Sequence, residues 1–225
     1  MMSKIVIVTD LAGHFYQQMQ HKTITETGPG DVPAVAPANR AAWRKWLAAN
    51  HARMDKVWLI LYRKHVGSDL DYAGSVEEAL CFGWIDSKPN KRDADSQYLF
   101  YSKRKPRSVW SASNKKRIER LIAEGKMMPA GSAAIETAKK NGSWTTIDSS
   151  EAMIMPEELH QALAKNKKAR TYFEAFPPGV RKAIFQWIVS AKTEPTRMKR
   201  VTETVTKAEQ NIRANQWTPP AGKTK

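Results

Sequence analysis

The spacing of apolar positions divides the chain into a mixed first half and a helical second half. Trp43, Trp46 and Leu47 recur at helical spacing behind Asn39, whose side chain can cap a helix start. Lys56 to Tyr62 is a β-rich run, continuously apolar from Val57, as in a strand covered on both faces. Ser75-Val76-Glu77-Glu78 has the form of a capping box, opening a short helix that stops at Gly83. Trp84 to Asp86 reads as a strand, Asp93 to Ser96 as a turn and Gln97 to Ser102 as the next strand. In that strand Tyr98, Phe100 and Ser102 lie on one face, Leu99 and Tyr101 on the other.

After Pro106 the period is helical. Ser111 or Ser113 caps a helix carrying Ile118, Leu121 and Ile122 and ending at Gly125. Pro129 opens another that runs to Asn141-Gly142, and Pro156-Glu157-Glu158 opens a third. Pro177-Pro178 separates a short helix from one striped by Val180, Ile184, Trp187 and Ile188. Thr193 caps the last helix, whose Val201, Val205, Ala208 and Ile212 are expected to face inward. Gly28, Pro29, Gly30, Pro33 and Pro37 mark residues 25–37 as a linker, and Ile5 to Val8 as a short strand ahead of it. The expected class is α+β. Residues 1–38 form a flexible extension, 39–215 a domain (39–112 α/β, 113–215 helical), and 216–225 a frayed tail.

With 225 residues, 41% of them apolar and eight tryptophans, the chain can bury a substantial core, which argues against disorder. Its formal charge is +15. Eleven Lys/Arg against three acids fall between Ser87 and Arg120, and twelve against four between Leu163 and Arg213. Such a surplus suits an anionic partner, a small molecule or a nucleic acid, or simply a solvated surface. Cys81 is the lone cysteine, so no intrachain disulfide can form. No apolar run reaches the ~18 residues of a transmembrane segment. The Ile5–Val8 run is too short for an export-signal core, so the expected location is cytoplasmic.

The densest chemistry lies between Glu78 and Asn114. Trp84 and Asp86, at i and i+2, would share one side of a strand, a ring beside a carboxylate; the plainer alternative is a core Trp and a turn-capping Asp. Arg104 and Arg107, with Trp110, Ser111 and Asn114 at a helix start, combine cations, a stackable ring and backbone donors, the parts of an anion site; otherwise they are a solvated loop and a cap. Arg197 and Arg200 sit one turn apart, where they grip an anion or, more simply, pair with Glu194 and Glu203. No phosphate-loop motif and no nucleophile elbow occurs, the five histidines show no metal-ligand spacing, and no cofactor is expected. Cys81, at a helix end, reads as a small buried hydrophobe rather than a reactive thiol.

Trp43-Arg44-Lys45-Trp46-Leu47, Asn50-His51, Val57-Trp58-Leu59, Glu78 to Asp86, Arg107 to Asn114, Gly125 to Gly131 and Ala191 to Arg200 together resemble the YdeI/OmpD-associated family, over residues 39 to about 215. That resemblance implies a link to protection against bacteriocins or cationic peptides, without naming a reaction. A +15 chain repels a cationic peptide, so an indirect route would fit better than sequestration. Three functions remain open from the residues. The first is a binding protein holding an anionic small molecule in a basic aromatic cleft. The second is a nucleic-acid module using both basic blocks. The third is an enzyme built on a titratable pair such as Asp86 with His51.

Overall fold

The computed structural model describes residues 26–66 and 69–216, so the Ile5–Val8 strand and the C-terminal tail beyond 216 lie outside the described residues. The chain separates into two compact units. One holds the described residues up to Ser108 together with Lys116–Lys140, and the other Val109–Lys115 and the described residues from Asn141 on.

The first unit is built on a mixed sheet of β1 (Glu26–Gly28), β2 (Val32–Val35), β3 (Lys56–Tyr62), β4 (Trp84–Lys91) and β5 (Ser96–Lys103), ordered β1-β2-β3-β5-β4. β2 runs parallel to β3 and the other pairings are antiparallel. The parallel pair is joined through α1 (Arg40–Asn50), whose Asn39 cap accepts from Ala42 N at 2.9 Å. The expected linker is therefore corrected. Glu26–Gly28 and Val32–Val35 are strands joined by a turn, because Val32, Ala34 and Val35 lose their solvent against β3, and Gly28 lets the backbone pass close to the Trp58 ring. The Trp58 indole N–H closes this contact on Pro29 O at 2.9 Å.

Alternation along the strands gives the sheet two apolar faces. Val57, Leu59, Leu99, Tyr101, Trp84 and Asp86 share one, by register. Tyr101 meets Trp43 of α1 with ring centroids 5.3 Å apart, so α1 packs on that face. Trp58, Ile60, Tyr98 and Phe100 share the other, with Val32 and Ala34. At its rim Glu26 accepts from Arg92 Nε and Nη2, each at 2.9 Å, and from the Tyr98 hydroxyl, tying the outermost strand β1 to the β4–β5 hairpin.

α2 (Tyr72–Cys81) begins a turn earlier than the capping-box reading placed it. Asp71 caps it, accepting from Gly74 N at 2.7 Å. Ser75 and Glu78 are buried inside the helix, where they serve tertiary contacts instead. Ser75 Oγ donates to Tyr72 O and shares a 2.8 Å hydrogen bond with the Tyr101 hydroxyl. Glu78 accepts from Arg40 Nε at 2.5 Å and Arg44 Nη1 at 2.7 Å, while Glu77 pairs with Arg40 and Arg120. Gly83 ends the turn at φ 73°, as its position predicts. α3 (Ala112–Ala123) follows, with Ser111 as its cap through a 3.3 Å bond from Asn114 N, and then α4 (Pro129–Lys140). Ile122 faces solvent, against expectation, since Ile118 and Leu121 already supply the buried stripe of α3.

The second unit is helical: α5 (Asp148–Glu151), α6 (Glu157–Ala164), α7 (Lys167–Ala175), α8 (Pro178–Val189) and α9 (Glu194–Glu209). Leu159, Phe173, Ile184, Phe185, Ile188 and Val201 form its core. Thr193 caps α9 as expected. Ile212 falls beyond the end of α9 and is exposed, so it does not extend the stripe. The architecture is α+β. Among the described residues no helix is long and apolar enough to cross a membrane.

Candidate functional site

The nine residues singled out in the sequence do not form one set. Trp84, Asp86, Arg104 and Arg107 fall in the first unit; Trp110, Ser111, Asn114, Arg197 and Arg200 fall in the second.

In the first unit, Trp84 opens β4 and Asp86 follows two residues on, opposite Tyr101. Trp84 is fully buried, edge-on to Trp46 at 6.2 Å, so its ring is core rather than a stacking platform. Its indole N–H is also buried and has no acceptor among the described residues. Such an orphaned donor forfeits a hydrogen bond on folding. Asp86 is half-buried and accepts from the Tyr72 hydroxyl at 2.8 Å. Tyr72 stands at the first position of α2 and remains 48% exposed, so this carboxylate–phenol pair reaches the surface. Burial, followed by the bond to Asp86, raises the phenol's pKa and keeps it a neutral donor.

Arg104 completes the cluster. Its backbone N–H bonds Gly83 O at 3.0 Å, which sets it beside the start of β4. Desolvation of the guanidinium lowers its pKa to about 10, and the charge of Asp86 offsets only part of that. Arg104 is still a cation at neutral pH, held where water solvates it poorly. Arg117 of α3 acts electrostatically on Tyr72 and Tyr101 and adds positive potential. The Tyr101 hydroxyl, pushed far up by burial, stays protonated against Ser75. The arrangement thus sets the charges of Arg104 and Arg117 about Asp86 and its two tyrosines, with the Tyr72 hydroxyl given to Asp86 and the Tyr101 hydroxyl engaged by Ser75. It can hold an anion that also carries a donor for Asp86. Arg107 lies on an exposed turn and makes no ion pair among the described residues.

In the second unit, Trp110 is 2% exposed and packs on Trp144 at 5.1 Å. The expected exposed stacking ring is therefore corrected: a facing Trp takes its surface. Ser111 caps α3 and shares a 3.1 Å hydrogen bond with Ser113, and the Asn114 backbone donates to that cap. Lys115 lies over the Trp144 ring at 5.2 Å and pairs with Asp148. Arg197 pairs with Glu158 at 3.2 Å. Arg200 donates to Trp187 O and to Ser190 Oγ, with its guanidinium 5.1 Å from the Trp187 ring centre. Both arginines hold helices together, with partners other than the expected Glu194 and Glu203.

His51 and Asp86 take different partners: the imidazole meets Leu47 O at 2.9 Å and lies beside Phe82. Cys81 is buried, and burial raises its thiol pKa. No group of three metal-ligating side chains occurs among the described residues. Tyr72, Arg117 and Tyr101 were not anticipated. Their signal is tertiary: the start of α2 brings Tyr72 to Asp86, strand register sets Tyr101 opposite it, and α3 carries Arg117 whose charge acts on both tyrosines.

Two family models match the chain. One, described as Bacteriocin-protection, YdeI or OmpD-Associated, covers residues 152–211, the helices α6 to α9. The other, a domain of unknown function (DUF8412), covers residues 35–134 and so most of the first unit. The resemblance drawn over residues 39 to 215 is thus met in the C-terminal helices, while Glu78 to Asp86 lies in the other match. No curated protein matches the chain, and no solved structure does.

Proposed function

We propose that this chain, which carries a YdeI/OmpD-associated domain at residues 152–211, is a binding protein whose first unit holds an anionic small molecule at Arg104, Asp86 and Tyr72. The observation that carries the reading is geometric: the Tyr72–Asp86 hydrogen bond reaches the surface at the start of β4, where the charge of Asp86 also acts on the guanidinium of Arg104. An anion placed there meets a cation and a surface phenol–carboxylate pair, and the buried Trp84 N–H, without an acceptor among the described residues, lies at the same end of β4. Asp86 then selects ligands that bring a hydroxyl or ammonium donor alongside the anion.

A role in bacteriocin or antimicrobial-peptide protection, suggested by the name of the matching family, belongs to the proposal as an indirect effect of ligand binding. The +15 charge opposes direct capture of a cationic peptide. A cytoplasmic setting is likewise proposed, supported by the lone reduced Cys81 and tested by cell fractionation.

The test is a thermal-shift panel of hydroxycarboxylates, amino acids and phosphate monoesters at physiological salt, on the wild type and on Arg104→Gln. A ligand that binds only the folded state raises Tm by mass action. A small-molecule shift that survives salt and disappears in Arg104→Gln, with an unchanged far-UV spectrum, is the expected result. An identical shift in the variant removes the site. Stabilisation by DNA or RNA alone, lost as salt rises, supports the nucleic-acid reading instead.

A further inference from the structure

Within the second unit, α6 and α9 leave a groove of about 430 Å³ between them. Ala162 and Val205 form its floor; both are partly buried outer members of the unit's core. Met198, 42% exposed, forms one wall, and Gln161, Thr202 and Thr206 supply polar edges. The lining positions recur three and four residues apart on both helices, so the groove is about two helical turns, roughly 10–12 Å, long. That volume lies in the range of small-molecule sites (roughly 300–1,000 Å³), and the length is short for a partner helix.

Charge orients an occupant. At one end Glu158 is paired with Arg197, and its own backbone N–H, then Arg197, hold its carboxyl below the usual range. That end is internally neutralised. Lys165, exposed, lines the groove as the C-cap just past the end of α6, and it makes no ion pair among the described residues. We infer that the groove is a second binding site, independent of Arg104, for a free small amphiphilic monoanion. Its apolar body lies on Ala162, Met198 and Val205, and its acidic head points to Lys165. The flexible thioether of Met198 adapts the wall to ligand shape.

The experiment uses the full chain with ¹³C-methyl methionine, the Met198 resonance being assigned from Met198→Leu. Sodium decanoate below its micelle concentration is the probe, with decyltrimethylammonium and phosphatidylglycerol vesicles as the other arms. Decanoate is expected to shift the Met198 methyl saturably, and decyltrimethylammonium to leave it in place. Thr202→Trp, an exposed position on the groove edge, should abolish the shift. Lys165→Glu should weaken affinity about ten-fold, the scale of reversing one exposed charge contact. The remaining methionine methyls at wild-type positions establish that the variants fold, and Arg104→Gln should keep the Met198 response. The inference is overturned if decanoate leaves Met198 unmoved, if the cationic amphiphile moves it equally, if Thr202→Trp retains the shift, or if only vesicles produce it.

Discussion

Gly131 shows how one atom can set the geometry of the first unit. Its α-carbon lies against the end of α2, and a Cβ built there would fall on the carbonyls of Leu80 and Cys81, far inside van der Waals contact. Both neighbours are backbone, so neither can rotate aside. The same approach lets Met128 N bond Cys81 O at 3.1 Å. Because α2 also carries Tyr72 at its first position, this contact supports the helix that delivers the phenol to Asp86. Gly131→Ala should therefore force α2 and α4 apart and destabilise the protein by roughly 1–3 kcal/mol, the scale of overpacking. Chemical denaturation measures this. A midpoint equal to wild type would show that the two helices separate without cost.

At the scale of elements, the sheet depends on a side-chain tie as well as its ladder. Glu26 of β1 reaches Arg92 and Tyr98 across the face bearing Trp58 and Phe100, and the bonds from Arg92, then Tyr98, lower its pKa from 4.5 to about 2. A carboxylate depressed in the folded state stabilises fully above its unfolded pKa, and loses that contribution as pH falls through the folded value. The stabilisation should therefore be complete above about pH 4.5 and fade between there and about pH 2. Glu26→Gln should flatten the acid limb in this window while changing neutral stability less than a core truncation, because the pair is partly exposed. Acid titrations followed by circular dichroism compare the two; superimposable acid limbs would remove Glu26 from the account.

The same tie explains why this part of the sheet was illegible in the sequence. Local signals were readable where the cause is local: Asn39 and Thr193 cap by their own side chains, and Gly83 and Gly125 take positive φ at helix ends. β1 and β2 are short, rich in Gly and Pro, and stabilised by β3 and Arg92, so composition pointed to a linker. Ser75 misled for the converse reason. Its spacing to Glu78 imitates a cap, but both side chains are recruited by Tyr101, Arg40 and Arg44, from elements distant in sequence. In the candidate site, Asp86 and Arg104 were visible as residue types, whereas Tyr72, the donor to Asp86, was placed only by the true start of α2.

For the whole molecule, the two units are discontinuous in sequence, and this decides how the chain can be divided. Among the described residues Lys/Arg outnumber acids 20 to 13 in the first unit and 13 to 8 in the second, so neither holds the basic surplus alone. α3 crosses the boundary: its residues up to Lys115 count with the second unit and those from Lys116 with the first. The short piece Val109–Lys115 brings Trp110 against Trp144 and Lys115 to Asp148 and the Trp144 ring. A fragment beginning at Asn141 keeps the Phe173–Phe185 core but loses these contacts. It should fold with a lower Tm than a fragment beginning at Val109, and its Trp144 fluorescence should report a solvated indole. The lost Trp–Trp burial sets the scale, roughly 2–4 kcal/mol by apolar area and ring contact. Equal melting temperatures for the two fragments would show that Val109–Lys115 is only a connection; a gap of several degrees would establish it as a structural part of the second unit.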